Sequence, residues 1–386
     1  MPNRPARTGR VLGLRALNRS LLERQVLLRR RRVRPLDAVE RLVALQAQVP
    51  RDPYVALWSR LDPFLPEALS EAIADRRAVR LTLLRGTLHL VTAGDALALR
   101  ALFQLVVERI LYAQALFRRA VEGIDPADVV ALFRELMEER PRTRAELARA
   151  AGERWPDREA SSLGLAAYLL PTVQVTPRGL WRQSAVATFT TVDRWLGRPA
   201  GPAPPPYELV LRYLRAFGPA TPADVQSWSG LTAMREVLEE LRPRLRTFRD
   251  ERGRELFDVP RAPLPDPETP GPVRFLPEYD NALIGHADRT RIVPERAPQW
   301  TDVGWGSVLV DGFLAARWRV RREKGRATLR VEPFRRLSRG EKVEVAEEGM
   351  RLVEFLEPDA GTTDVHLTDM IERSAAERRP NSPRNR

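Results

Sequence analysis

The chain has 386 residues, of which 43% are hydrophobic, so it is long enough for two or three globular domains. It has no cysteine and three histidines, which excludes disulfides and thiolate zinc sites, and we expect neither a metal nor a cofactor. The net charge of +13 attracts polyanions, but it comes almost entirely from arginine and supports nucleic-acid binding without establishing it. We find no signal peptide and no apolar run of about 20 residues, and expect a cytoplasmic protein without a membrane partner.

The N-terminal part has the pattern of a small helical domain. Apolar spacing predicts helices at Asn18–Leu28, Leu36–Gln46 and Pro66–Arg77. The stretch Ala78–Thr92 is β-prone, alternates in polarity and contains Gly86, which favours a hairpin. Helices followed by a hairpin are the plan of a winged helix, a variant of the helix-turn-helix. We therefore predict a first winged-helix unit over residues 11–94.

A second unit follows a connecting segment, residues 95–122, that we expect to form one long helix over Asp95–Ala120. The next helix is predicted at Asp125–Arg140, and Thr143 is placed to cap another. This order predicts a second winged-helix unit over residues 123–198.

The same order recurs in a third unit, predicted over residues 206–260. Tyr207–Phe217 is amphipathic, and Thr221 then takes the cap position, with Pro222 in the first turn of the next helix. A third helix, Thr232–Leu245, and a strand pair around Arg252–Gly253 complete the plan.

The C-terminal part, residues 273–357, changes to a β-rich mixed pattern. Strand-like runs occur at Ser307–Leu314, Ala316–Val320 and Ala327–Phe334, and a late helix at Glu341–Leu356. Proline-rich linkers at Arg198–Pro206 and Pro260–Pro272 separate the parts, and residues 358–386 are predicted to be a mostly disordered tail. The predicted class is α+β and mainly helical, with tandem winged-helix units and a C-terminal β-rich domain.

The segment LVALQAQVPRDP, Leu42–Pro53, is the most informative for chemistry. Gln46 falls on the buried stripe of the predicted helix, where an amide needs hydrogen-bond partners. Pro50 disfavours helical geometry at Val49, so the helix should end here and Gln46 and Gln48 could converge on one cleft. The alternative is that Gln46 caps backbone groups while Gln48 is solvated.

Several segments together resemble a known family. LVALQAQVPRDPYVALWSRL, RGTLHLV, FLPEYDNALIGHADRTRIV and VLVDGFLAARWRV are similar to segments of the AlkZ-like family of bacterial DNA glycosylases. That family carries a glutamine–apolar–glutamine catalytic motif, which Gln46, Ala47 and Gln48 match in full. The resemblance implies excision of N7-alkylated purines from double-stranded DNA, possible unhooking of interstrand crosslinks, and catalytic roles for Gln46 and Gln48. We expect a nucleoid-associated protein, and three tandem units could embrace DNA as a monomer.

Candidate DNA-binding residues lie in two places. Five of the six residues in RRRRVR are arginines suited to phosphate contacts, namely Arg29, Arg30, Arg31, Arg32 and Arg34. Arg85 and His89 lie in the predicted wing, where His89 either contacts DNA or bonds to backbone.

Two further groups of polar residues are open to more than one interpretation. Asp52 either orients water or pairs with a surface arginine, and the polar segment Glu278–Arg291 either binds phosphate or forms a buried structural network, which we favour. The alternative for the whole protein is a non-catalytic winged-helix DNA-binding protein, a regulator or damage sensor.

Overall fold

The computed structural model describes residues 10–295, 297 and 303–368, which form an α+β fold with strands gathered into three sheets. The helices are α1 (Leu14–Arg24), α2 (Pro35–Arg41), α3 (Asp52–Trp58), α4 (Pro66–Ala74), α5 (Ala93–Leu99), α6 (Gln104–Ala113), α7 (Ala115–Ala120), α8 (Pro126–Glu139), α9 (Arg144–Arg154), α10 (Ala160–Leu163), α11 (Val192–Leu196), α12 (Tyr207–Phe217), α13 (Pro222–Ser229), α14 (Met234–Leu241), α15 (Asn281–Ile284) and α16 (Arg339–Leu356). The strands are β1 (Val11–Leu12), β2 (Leu45–Gln46), β3 (Ala78–Thr82), β4 (Leu88–Thr92), β5 (Arg142–Thr143), β6 (Thr172–Gln174), β7 (Thr188–Thr191), β8 (Arg246–Asp250), β9 (Glu255–Asp258), β10 (Arg274–Leu276), β11 (Gly306–Val310), β12 (Phe313–Glu323), β13 (Arg326–Pro333) and β14 (Thr362–Leu367).

One order of elements occurs three times along the chain. Each copy has a helix, a short strand or bridge, two further helical segments and an antiparallel hairpin, and the short strand pairs with the second hairpin strand. We name these copies the first repeat (residues 35–92), the second repeat (residues 126–191) and the third repeat (residues 207–258). In the third repeat, a bridge between Ala220 and Phe257 takes the place of the short strand.

Side-chain caps begin one helix in each of the second and third repeats, as the sequence predicted. The amide of Glu146 donates to Oγ1 of Thr143 at 3.1 Å, and the Glu146 carboxylate accepts from the Thr143 amide at 2.7 Å. Thr221 and Asp224 form the same reciprocal pair, with distances of 3.2 and 2.8 Å. Each pair satisfies two backbone donors that a helix start would otherwise leave free.

The first two repeats share one six-stranded sheet, in the order β2-β4-β3-β6-β7-β5. The joining pair is β3 with β6, in which Arg80 lies opposite Gln174 and Leu81 opposite Val173. Strand β1 belongs to neither repeat, because it pairs in parallel with β8 of the third repeat. The predicted first unit, residues 11–94, therefore exchanges strand pairing with both of the other predicted units.

The connecting segment is not the single long helix that we predicted over Asp95–Ala120. It is divided into α5, a 3-10 turn at Arg100–Phe103, α6 and α7, and Gln114 has extended backbone with ψ of 118°. The buried guanidinium of Arg100 bonds to Oε1 of Gln104 at 2.9 Å and to the carbonyl oxygen of Tyr168 at 3.2 Å. The contact with Tyr168 joins this segment to the second repeat and is tertiary, so helical periodicity could not reveal the breaks.

The C-terminal sheet has the order β10-β11-β12-β13-β14, and α16 packs against it. The run Ser307–Leu314, predicted as one strand, is divided between β11 and β12 by a turn at Asp311 and Gly312. Strand β14, Thr362–Leu367, pairs in parallel with β13, although we expected a tail from residue 358; residues 369–386 lie outside the described part. No helix among the described residues is long and apolar enough to cross a membrane.

Helix α1 joins the N-terminal segment to distant parts of the chain. The guanidinium of Arg24 bonds to both carboxylate oxygens of Asp258 in β9 at 2.6 and 2.9 Å, and both side chains are fully buried. Arg24 and Arg19 also donate to the carbonyl oxygens of Pro263 and Thr269. The predicted linker Pro260–Pro272 contains no helix or strand, but it is packed against α1.

Candidate active site

Gln46 lies on strand β2, whereas we predicted a helix over Leu36–Gln46. Helix α2 ends at Arg41, and Val43 then adopts a φ of +71°, which a β-branched residue rarely does. In β2, Gln46 lies opposite His89 of β4. A short, continuous apolar run fits a buried strand as well as a buried helix, and pairing with β4 selects the strand.

The two glutamines form one hydrogen-bonded unit. Nε2 of Gln46 donates to Oε1 of Gln48 at 2.7 Å, with Gln46 only 8% exposed and Gln48 exposed. The residue between them is held by its backbone, because the amide of Ala47 donates to the carbonyl oxygen of Leu88 at 2.9 Å and its carbonyl oxygen accepts from Arg80. The predicted convergence of the two amides is therefore present.

Both glutamines line a cleft of about 520 Å³. The first repeat also contributes Val49, Arg85 and Thr87, and the third repeat contributes Ser227. The C-terminal part contributes Glu278, Tyr279, Ile284, Arg289 and Val303. The cleft thus lies where the two repeats meet the C-terminal part, and we name it the glutamine cleft.

Arg85 lies in the wall of the glutamine cleft, at the tip of the hairpin formed by β3 and β4. Its guanidinium donates to the carbonyl oxygen of Trp228, and Nη2 lies 3.5 Å from Oε1 of Gln46. Burial, with a smaller effect from the charge of Arg289, lowers the pKa of Arg85 to about 10, so it stays positively charged at neutral pH. Arg85 links the glutamine motif of the first repeat to α13 of the third.

His89 is fully buried, so the expected contact with DNA is not available to it. Its Nδ1 lies 2.9 Å from the carbonyl oxygen of Thr87, which makes Nδ1 the protonated nitrogen. Burial, followed by the charge of Arg85, lowers the pKa of His89 to about 3, and the ring is neutral. Of the two interpretations, the structure matches a strand histidine bonded to backbone.

The arginine cluster of residues 29–34 has divided roles. Arg29 and Arg32 are exposed, as phosphate contacts require. Arg30 instead pairs with the buried Glu348 at 2.5 Å and stacks on Trp58, so it fastens α16 to the first repeat. The other two are exposed but form local ion pairs, Arg31 with Glu23 and Arg34 with Asp37.

The polar segment Glu278–Arg291 is divided in the same way. Asp280 forms a buried ion pair with Arg60, and Nε2 of His286 lies 3.1 Å from the carbonyl oxygen of Phe217, which is the structural network that we favoured. Glu278 and Arg289, however, line the glutamine cleft, and we did not single them out. The signal was their place in a polar run without periodicity, but the sequence alone did not separate these two from their buried neighbours.

Asp52 begins α3, four residues after Gln48, and is buried without lining the glutamine cleft. Burial raises the pKa of Asp52 to about 8, the charge of Arg51 opposes this rise, and the charge of Glu278 adds to it. The carboxyl group is therefore mostly protonated at neutral pH, and an ion pair is not its main role.

The site can hold a water molecule against an electrophilic carbon. Carbonyl oxygens of glutamine accept hydrogen bonds from water but have no basic pKa, so the pair can position a nucleophile without taking its proton. Strand pairing fixes Gln46, and Gln46 in turn orients Gln48, which is the rigidity that positioning requires.

The fold matches that of a solved protein. The chain is similar to the Streptomyces sahachiroi DNA glycosylase AlkZ with a TM-score of 0.68 and 20% identity, over 93% of this chain and 100% of that one. No curated protein matches the sequence.

The sequence profile of the family described as "DNA glycosylase AlkZ-like" matches residues 39–355. That range is most of the chain and contains every residue of the glutamine cleft, whereas the arginine cluster of residues 29–34 lies before it. The class of protein is therefore DNA glycosylase. The chain belongs to the AlkZ-like DNA glycosylase family.

Proposed function

We propose that this glycosylase is monofunctional and excises N7-alkylated purines from double-stranded DNA, by attack of a water molecule that Gln46 and Gln48 hold. The observation that carries the proposal is the 2.7 Å hydrogen bond joining the two amides at the glutamine cleft. An N7-alkylpurine is positively charged, so its glycosidic bond breaks without an acid, and neutral amides suit such a substrate.

The reaction is a hydrolysis. The water oxygen bonds to C1′ of the sugar, the C1′–N9 bond breaks, its electron pair neutralises the departing base, and one proton is released from the water. None of the described residues that line the cleft is a lysine, and the sequence has lysine only at Lys324 and Lys342. A covalent amine intermediate has no candidate nucleophile in the cleft, and we expect no strand cleavage.

The three repeats are, in this proposal, winged-helix units that engage duplex DNA as a monomer. Their common order of helices, short strand and hairpin supports the assignment, as does the net charge of +13. Because Gln48 is exposed, a bulky adduct need not enter a closed pocket. Interstrand crosslinks through guanine N7 therefore belong to the proposed substrates.

The test is the release of N7-methylguanine from methylated duplex DNA under single-turnover conditions. Wild type is compared with the Gln46→Ala, Gln48→Ala double variant and with Gln183→Ala, an exposed glutamine outside the cleft. We expect release by wild type and the control, and a loss on the order of 10²-fold or more in the double variant with DNA affinity retained. Equal release by the double variant would refute the roles of the glutamines.

A second duplex, crosslinked between N7 atoms of guanines on opposite strands, tests the wider substrate range. Unhooking of this crosslink by wild type supports the inclusion of interstrand crosslinks among the substrates. If N7-methylguanine is released and the crosslink stays intact, the range is limited to monoadducts. If neither is processed, the proposed substrate class is wrong.

A further inference from the structure

Glu278 is unusual among the buried carboxylates of the described chain. Seven others each have an arginine within 4.0 Å, namely Asp95, Asp224, Asp250, Asp258, Asp280, Glu332 and Glu348. The two exceptions among the described residues are Asp52 and Glu278. A buried carboxylate without a counter-ion is costly, so both exceptions need a physical reason.

The two exceptions are resolved differently. Asp52 does not line the glutamine cleft and is mostly uncharged at neutral pH, since burial raises its pKa to about 8. Glu278 is 9% exposed, lines the glutamine cleft and accepts one hydrogen bond, from the amide of Gly304 to Oε2 at 2.9 Å. Within the part of the chain that the structure describes, this neutral amide is the partner of one oxygen, and no arginine or lysine forms an ion pair with the carboxylate.

A cation arrives with the substrate in the proposed reaction. An N7-alkylpurine carries a positive charge, and as the glycosidic bond breaks this charge moves to an oxocarbenium-like sugar. The glutamine amides offer only dipoles to that charge, and the cleft arginines Arg85 and Arg289 are positive themselves. Glu278 is the one acidic residue among the described cleft-lining residues.

We propose that Glu278 is a third catalytic residue, whose carboxylate stabilises the cationic sugar and accepts the proton of the attacking water. This inference rests on the proposed function. In the step, the water oxygen bonds to C1′, the C1′–N9 electron pair leaves with the purine, and the water proton moves to the Glu278 oxygen that Gly304 does not bind. A carboxylate so placed supplies both electrostatic stabilisation and base catalysis, which two glutamines cannot.

Glu278→Gln is the informative variant, because its amide oxygen can still accept from the Gly304 amide while the charge is lost. We expect its single-turnover release of N7-methylguanine to fall on the order of 10² to 10⁴-fold. Glu344→Gln on the exposed face of α16 changes the net charge equally and controls for long-range attraction. Thermal melting establishes that each variant is folded.

A second measurement does not depend on turnover. Duplexes carry either a cationic pyrrolidine analogue of the abasic site or a neutral tetrahydrofuran, and the affinities for both are compared. Wild type, Glu344→Gln and the double glutamine variant should prefer the cationic duplex by about tenfold or more, and Glu278→Gln should lose this preference.

The outcomes separate the two proposals. Suppose that wild type releases no N7-methylguanine but prefers the cationic duplex, and that Glu278→Gln loses this preference. The proposed substrate class is then wrong, and the role of Glu278 is supported. The role of Glu278 is overturned if wild type shows no preference for the cationic duplex. It is also overturned if folded Glu278→Gln keeps that preference or releases N7-methylguanine at the wild-type rate.

Discussion

Arg60 and Asp280 form a doubly hydrogen-bonded ion pair with distances of 2.9 and 2.7 Å, and their side chains are 0% and 2% exposed. Arg60 follows α3 of the first repeat, and Asp280 lies two residues after Glu278. The pair therefore fixes the segment that carries Glu278 relative to the first repeat, which carries Gln46 and Gln48. It also has a large energetic consequence, because neither charge has access to water.

Asp280→Asn should destabilise the fold strongly, since it leaves the buried guanidinium of Arg60 without a counter-ion. We expect the free energy of unfolding to fall by about 3–5 kcal/mol, measured by urea denaturation. The control is Asp364→Asn, which removes the exposed partner of Arg326 and should change it by at most about 1 kcal/mol. Similar losses in both variants would argue against a special role for the buried pair.

The glutamines should act as one unit in kinetics. Because Gln46 and Gln48 are hydrogen-bonded to each other, removing either one releases the other from its position. We expect each alanine variant to lower the single-turnover rate on the order of 10²-fold, and the double variant to lose less than the product of the two. Multiplicative losses would mean that the two side chains act independently.

His89 should affect stability and not DNA affinity. Its native pKa is about 3, whereas an unfolded histidine takes up a proton below about 6.5, so acid favours the unfolded chain. Below pH 6.5 this costs up to about 1.4 kcal/mol per pH unit. His89→Gln should therefore be less stable than wild type at pH 7.5, with a gap that narrows by pH 5 in melting experiments. A loss of DNA affinity by the folded variant would contradict this assignment.

Asp52 should have the opposite pH dependence. Its native pKa of about 8 lies above the ordinary 3.8, so between these values the native state holds a proton that the unfolded chain has released. Its effect on stability therefore falls as pH rises from 4 to 8, by at most about 1.4 kcal/mol per unit. Asp52→Asn removes that dependence, and its melting temperature should exceed that of wild type at pH 8 by more than at pH 5. A constant difference between the two proteins would show that Asp52 does not titrate in this range.

The arginine cluster should separate into two functions. Arg29→Ala and Arg32→Ala remove exposed charges, and for each phosphate that is no longer neutralised the slope of log affinity against log salt should fall by about 0.9. Arg30→Ala should instead lower thermal stability, because it removes one of the two short ion pairs of the buried Glu348 and the stacking on Trp58. An unchanged salt slope in the Arg29→Ala, Arg32→Ala double variant would place DNA elsewhere.

Sequence reasoning succeeded where the determinants are local. Helix α12 has the predicted limits, Tyr207–Phe217, and Thr143 and Thr221 cap helices as expected, because capping depends on side chains three residues apart. The motif glutamines were identified from neighbours in the chain and from family resemblance. Their convergence followed from the end of a helix, although that helix ends earlier than predicted.

The errors concern properties that only tertiary structure decides. His89 was named among the candidate DNA contacts, with bonding to backbone as the other interpretation, but the hairpin joins a six-stranded sheet and this side chain is buried. Glu278 was placed with its structural neighbours, since the absence of a counter-ion cannot be seen until the partners of every buried carboxylate are known. Gln46 and Glu278 line the same cleft, but no pattern in the local sequence predicts that they lie close together.

The pairing of β1 with β8, and of Arg24 with Asp258, also sets the order in which the protein matures. The two members of the ion pair are 234 positions apart, so a ribosome needs on the order of tens of seconds between making one and the other. Until Asp258 is made, Arg24 of α1 lacks its buried counter-ion. Contacts between residues so far apart in the chain also form slowly. A chain that ends within the third repeat, before Asp258, would leave α1 without this partner and would be a substrate for proteolysis. We therefore expect base excision only from chains that extend beyond the third repeat and include the C-terminal residues of the glutamine cleft.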